Sequence, residues 1–131
     1  MFQFLKLFLI SAVIFLILDS FWLIIANKKF YQPYIGHLMG QTKFLPAVIF
    51  YLIYMIALVF FVLVPGLEKE SLSYVLLVGA FFGAVCYATY DLTNLATLRD
   101  WPLKITIIDI IWGSFVTSLS ATLTYVIAIR L

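Results

Sequence analysis

Three aspartates interrupt the long apolar runs of this sequence. Asp19, Asp91 and Asp109 each lie in a stretch that is otherwise almost entirely hydrophobic. A carboxyl group is costly in a membrane helix and usually faces the interior of the helix bundle or a wet cavity. Carboxylates there can bind a cation, carry a proton or act as a general acid or base. These three residues are therefore the first candidates for a functional site.

The three aspartates are expected at one depth. Asp19 and Asp91 each lie eight residues before the polar end of their run, and Asp109 lies nine residues after the polar start of its run. At a helical rise of 1.5 Å per residue, these offsets are about 12 to 13 Å. The three polar ends fall on the same side of the membrane, so we expect one layer of acids in the cytoplasmic half.

Aromatic and polar side chains are expected at the same level. Trp22 follows Asp19, and Trp112 follows Asp109, by three residues, a spacing that puts both on one helix face. Asp91 is our choice for the functional carboxylate, because tyrosine and asparagine side chains surround it on its own helix. The predicted pocket comprises Asp19, Trp22, Tyr51, Tyr54, Tyr87, Tyr90, Asp91, Asn94, Asp109 and Trp112.

Metal and cofactor chemistry have little support in the sequence. If a metal binds, the three aspartates would be its ligands, and a hard cation such as Mg²⁺ or Ca²⁺ would suit them. Nothing in their spacing demands one. The sequence has no zinc motif, P-loop, nucleophile elbow or dinucleotide fingerprint, and its single histidine, His37, lies in a loop. We expect no cofactor.

The elements that must position these residues are membrane helices. The chain has 131 residues, of which 66% are hydrophobic and 11% charged, against roughly 25% charged in a soluble domain. Four segments reach the roughly 20 apolar residues that a spanning helix needs. The predicted fold class is all-α, a polytopic membrane protein with four transmembrane helices in a bundle. We expect a single domain, 1–131, with helices at about 4–26, 44–64, 72–97 and 103–129.

Polar and helix-breaking residues mark the ends of these segments. Asn27-Lys28-Lys29 should end the first helix and Pro65-Gly66 the second. Asp100 could cap the fourth, with Pro102 in its first turn. The 27–43 loop should lie in the membrane interface. Small residues at four-residue spacing predict close helix packing at Gly79, Gly83 and Gly113.

The distribution of lysine and arginine predicts the orientation. The first and third loops carry five of these residues, and the opposite side carries three. Because positive charge accumulates on the cytoplasmic side, we place these two loops in the cytoplasm and both termini outside.

Several motifs together resemble an uncharacterised family of small four-helix bacterial inner-membrane proteins, known as a domain of unknown function. The most specific is the run from Tyr87 to Leu98, YATYDLTNLATL, followed by Trp101-Pro102-Leu103. Others are Ile35-Gly36-His37-Leu38, Phe50 to Tyr54 and Asp109 to Gly113. The resemblance covers essentially the whole chain. It implies a multi-pass protein of the bacterial inner membrane and, by gene association, a lipid-related role, but no catalytic residues.

Three functions remain open. The first is a protein that binds or transports a cation, a proton or a small amine-bearing or amphipathic substrate from the cytoplasmic side. The second is a membrane enzyme, or an accessory subunit, in fatty-acyl lipid modification. The third is a structural membrane partner with no site. The expected partners are membrane lipids, a second copy of the chain and, for the lipid role, a lipid-modifying enzyme. The net charge of +2 gives no reason to expect nucleic acid.

Overall fold

The computed structural model describes residues 2–131 and confirms the predicted fold class. Within that range the chain is helical, without strands, and four helices are long and apolar enough to cross a membrane. They are α1 (Phe2–Leu38), α2 (Phe44–Glu68), α3 (Leu72–Thr97) and α4 (Leu103–Arg130). The most extensive packing is between α3 and α4, and α1 packs against α4 on another side.

The first α-helical segment ends at Ala26, as the sequence predicted, but the chain remains helical beyond this point. It continues through a π-helical turn, Asn27–Tyr31, a short α-helical segment, Gln32–Ile35, and a 3₁₀ turn, Gly36–Leu38. We call Asn27–Leu38 the extension. Residues 27–38, which were expected in a loop, are helical because tertiary packing outweighs local polarity. Ile35 is buried with Trp101 and Ile105 in a small apolar cluster.

The second helix also passes the break expected at Pro65-Gly66 and ends at Glu68. A π-helical turn, Val59–Leu63, precedes the last α-helical segment, Val64–Glu68. This places Pro65 in the first turn of that segment, where its missing N–H costs little. The glycine is needed for a close approach, because a Cβ on Gly66 would overlap the side chain of Val75 in α3.

The starts of α3 and α4 differ in how they are capped. Ser71, which the sequence analysis did not single out, caps α3, since its Oγ accepts a hydrogen bond of 3.0 Å from the Tyr74 N–H. Asp100 does not cap α4. The N-cap position belongs to Pro102, which offers no side-chain cap, so Pro102 lies one position before the first turn where it was expected.

Glycines and serines bring α3 and α4 together. Gly79 and Gly83 are buried, and a Cβ at Gly83 would overlap both the Gly113 carbonyl and Thr117. The Ser114 and Ser118 hydroxyls each donate a 2.8 Å hydrogen bond to a backbone carbonyl of α3. Small residues permit such an approach of two helices in lipid.

The main apolar core lies in the half of the bundle away from the extension. It joins Leu7 and Phe15 of α1, Val75 and Val116 of α3 and α4, and three residues of the π-helical turn of α2, namely Val59, Val62 and Leu63. All of these side chains are almost wholly buried. The core therefore holds the four helices together at one end and leaves the opposite end for polar residues.

Candidate functional site

A cavity of about 800 Å³ lies among the four helices near the extension. We call it the acid cavity, because Asp19, Asp91 and Asp109 all line it. Its volume falls in the range of small-molecule sites, roughly 300 to 1,000 Å³. Eight of the ten residues predicted for the pocket line it: Asp19, Trp22, Tyr51, Tyr87, Tyr90, Asp91, Asp109 and Trp112.

Asp19 is held by side chains from two other helices. The Tyr51 hydroxyl donates to one carboxylate oxygen at 2.9 Å, and the Trp112 indole N–H donates to the other at 3.3 Å. The side chain is 5% exposed. Because each oxygen has a donor, the Asp19 carboxylate is compensated by hydrogen bonds within the bundle.

Asp109 is bound by the extension. The Tyr31 hydroxyl donates to its carboxylate at 2.8 Å and accepts a 3.1 Å hydrogen bond from the Trp22 indole N–H. The rings of Trp22 and Trp112 stack with centroids 4.5 Å apart and an interplanar angle of 8°. The two aspartate–tryptophan pairs therefore form one continuous network across α1 and α4, which i+3 spacing alone could not show.

Asp91 is different, because neither of its carboxyl oxygens has a hydrogen-bond partner in the described chain. Its side chain is 0% exposed. Asp109 lines the same cavity. An ionised Asp91 would carry a buried charge that no donor of the described chain compensates, so the carboxyl group needs either a proton or a bound cation.

Two predicted pocket residues lie outside the cavity lining. Tyr54 is buried and its hydroxyl is hydrogen-bonded to Thr117 of α4, so it contributes to helix packing. Asn94 does not line the cavity either. Both positions matched the expected depth, but depth does not determine which way a side chain faces.

The sequence analysis missed several lining residues. Tyr31 and Ile35 come from the extension, Trp101 comes from the segment before α4, and Ile105 comes from the first turn of α4. The first two were assigned to a loop, so nothing suggested that they would reach the cavity. The available signal was the amphipathic spacing of Phe30, Tyr31, Tyr34 and Ile35.

Two polar contacts tie the extension to the segment that begins α4. The Lys104 amine donates to the Tyr34 hydroxyl at 2.8 Å. His37 Nε2 lies 3.5 Å from an Asp100 carboxylate oxygen. With the Tyr31–Asp109 bond, these contacts hold the extension across the end of the cavity where the first and third loops lie.

In the described chain, the ionisable side chains of the cavity lining include acids but no bases. Among the residues that the structure describes, no lysine, arginine or histidine lines the acid cavity, whereas three carboxyl groups and eight aromatic side chains do. Aromatic faces attract cations, and carboxylates pair with them. Within residues 2–131 there is no group of three or more His, Cys, Asp or Glu side chains arranged to hold a metal ion. The lining therefore combines acidic groups with aromatic surface.

Comparison with known proteins identifies a family. Searches of curated proteins and of solved structures found no match for the chain. A family model described as "Predicted membrane protein (DUF2177)" matches residues 4–126, nearly the full length. This agrees with the resemblance drawn from the sequence motifs and with the four helices long enough to span a bilayer. The chain belongs to the DUF2177 family of predicted membrane proteins.

Proposed function

We propose that the protein binds an amphipathic organic cation in the acid cavity in exchange for a proton. The observation that carries this proposal is Asp91, a fully buried carboxyl group without a hydrogen-bond donor, on the wall of a large aromatic cavity. An uncompensated buried charge is too costly to persist, so a proton or a cation must accompany it.

The shape of the cavity favours an organic cation over a metal ion. A volume of about 800 Å³ far exceeds what a bare ion fills. The stacked Trp22 and Trp112 rings and the tyrosines beside them offer apolar surface together with cation–π attraction. An amine-bearing or quaternary head group would place its charge at Asp91 and Asp109.

Proton exchange follows from the burial of Asp91. With no cation bound, this carboxyl group must hold a proton, because no donor of the described chain compensates its charge. An entering cation replaces that proton, so the affinity for the cation falls as the pH falls. If one proton is displaced per cation, the loss approaches about tenfold per pH unit while Asp91 remains protonated in the empty cavity.

The test is the binding of tetraphenylphosphonium to the protein in nanodiscs of zwitterionic lipid, measured by calorimetry. We expect one cation to bind and about one proton to be released, which the heats in two buffers of different ionisation enthalpy report. Asp91→Asn should weaken binding at least tenfold, about 1.4 kcal/mol. The matched control is Glu68→Gln at the opposite end of α2, an exposed carboxylate outside the cavity.

Failure of this experiment has a clear form. If tetraphenylphosphonium binds wild type and Asp91→Asn equally, or binds neither above the empty nanodisc, the cavity is not a cation site. If it binds through Asp91 without proton release, the exchange is wrong and a simple binding site remains. Flux of the cation into vesicles, driven by a pH gradient, would extend binding to transport.

The three aspartates of the cavity also favour a second function, catalysis on a lipid. A protonated and an ionised carboxyl group beside one substrate can act as general acid and general base. The protein would then modify an acyl chain or assist an enzyme that does so. Mass spectrometry of lipids from a deletion strain, complemented with wild type or Asp91→Asn, separates the two. A lipid change restored only by wild type favours catalysis, and an unchanged lipid profile contradicts it.

A further inference from the structure

Two residues that line the acid cavity, one on α2 and one on α3, have exposed side chains. These helices contact each other through Tyr54 and Phe82, whose rings are 6.0 Å apart, and through the second half of α2. Nearer the start of α2 the facing side chains are exposed: Phe50 is 47% and Tyr90 57% exposed, although both line the cavity. We call the part of the cavity wall between Phe50 and Tyr90 the lateral gap.

The lateral gap lies at membrane depth. Phe50 is six residues inside α2 and Tyr90 is seven residues before the end of α3, which corresponds to about 9 and 10 Å along the helices. Pro46, Ala47 and Cys86 continue the lining on these two helices and have no charge. In a bilayer, the gap therefore faces lipid chains.

The end of the cavity toward the first and third loops is covered. The extension crosses it with Tyr31 and Ile35 in the lining, and Met39, which follows the extension, also lines the cavity. Hydrogen bonds to Asp109 and Lys104 hold Tyr31 and Tyr34 in place. The extension therefore lies between the cavity and the water beyond the loops.

We infer that the ligand of the acid cavity is a membrane lipid-like amphiphile with a cationic head group, which enters from the bilayer through the lateral gap. This inference rests on the proposed cation site and names its substrate class and route. The charge pairs with Asp91 and Asp109 beside the stacked tryptophans, while the acyl chains pass between Phe50 and Tyr90 and remain in the bilayer. Chain length is then unrestricted, because the chains need no room inside the cavity.

The tryptophans provide a direct test, because all three in the sequence, Trp22, Trp101 and Trp112, line the cavity. In nanodiscs of phosphatidylcholine brominated on its acyl chains, lipid that reaches the gap should quench their emission. Dimethyldioctadecylammonium, a cation whose two long chains are too bulky to be enclosed with its head group, should bind and relieve this quenching. Tetramethylammonium, which has a charge and no chain, should not.

Variants separate the gap from the charge. Ala47→Leu narrows the gap and should reduce both quenching and the affinity for dimethyldioctadecylammonium by at least threefold. Ala57→Leu, the same change on α2 away from the cavity lining, should leave both unchanged. Asp91→Asn should abolish the relief by dimethyldioctadecylammonium while the quenching by brominated lipid remains, because the gap is intact.

The outcomes distinguish the route from the function. If tetraphenylphosphonium binds through Asp91 but dimethyldioctadecylammonium does not bind and brominated lipid does not quench, the cavity is reached from water and the lateral route is wrong. If neither cation binds, the proposed function itself fails. If Ala57→Leu acts as strongly as Ala47→Leu, the effect is general to α2 and the gap is not the route.

Discussion

The two halves of the α3–α4 pair differ in whether their polar side chains have hydrogen-bond partners. In the half away from the extension, Ser114 and Ser118 bond to backbone carbonyls across the interface at 2.8 Å. In the other half, Asp91 is more deeply buried than either serine, but its carboxyl oxygens have no donor in the described chain. Ser120 and Thr122 also lack partners in the packed half, but a neutral hydroxyl costs much less to bury than a carboxylate.

This difference shows that one half of the bundle stabilises the fold and the other half costs stability. Close glycine-mediated packing in one half supplies the contacts that hold the helices. The other half keeps an open cavity and an uncompensated acid, both of which cost stability. Sites for ligands are commonly maintained at such a cost.

The largest change in the free energy of unfolding is expected from a steric clash in the closely packed half of the α3–α4 pair. A Cβ at Gly83 would overlap the Gly113 carbonyl, a backbone atom that can move only with its helix. Gly83→Ala should therefore lower the free energy of unfolding by about 3 kcal/mol. Thermal unfolding in detergent, followed by circular dichroism or size exclusion, measures this. Gly40→Ala is the control, since a Cβ there meets nothing within 4 Å; equal effects of the two would refute the argument.

The next effect contrasts two aspartates of the cavity. Asp91→Leu removes a buried acid that has no donor, and we expect it to raise the free energy of unfolding by about 2 to 3 kcal/mol while abolishing cation binding. Asp19→Leu should instead destabilise the fold, because it leaves the Tyr51 hydroxyl and the Trp112 indole N–H without their acceptor.

Unfolding measurements on both variants, without any added cation, decide the contrast between the two acids. Opposite signs support a carboxyl group retained for function at Asp91. Destabilisation by Asp91→Leu of the same size as by Asp19→Leu would make Asp91 a structural acid.

The helix count and the depth of the acids could be predicted from the sequence, because both depend on run length and on a fixed rise per residue. The direction in which each side chain points could not be predicted. Tyr51 and Tyr54 lie at the same level as the cavity, but only Tyr51 lines it, because packing against neighbouring helices sets the rotation of α2.

The extension shows the other limit of the sequence. Asn27-Lys28-Lys29 has the composition of a helix end, and the helix continues because Ile35, Trp101 and Ile105 meet in space. Such a contact between residues about 70 positions apart leaves no local trace. Tyr31, which binds Asp109, was missed for the same reason.

The smallest predicted effect concerns the serine bonds between α3 and α4. Ser118→Ala removes one hydrogen bond to the Leu76 carbonyl, and hydrogen bonds between membrane helices contribute about 0.6 kcal/mol on average. We expect a loss of that size for Ser118→Ala and for Ser114→Ala, and approximate additivity in the double variant, because the two hydroxyls bond to different carbonyls. Ser73→Ala, on the exposed face of α3, is the control and should change stability less. A loss of more than about 2 kcal/mol in the free energy of unfolding for either single variant exceeds what such hydrogen bonds contribute. It would mean that the serines stabilise the helix pair by more than one hydrogen bond each. It would also mean that the packed half depends on polar groups as strongly as the acid cavity does, and the contrast between the two halves would then fail.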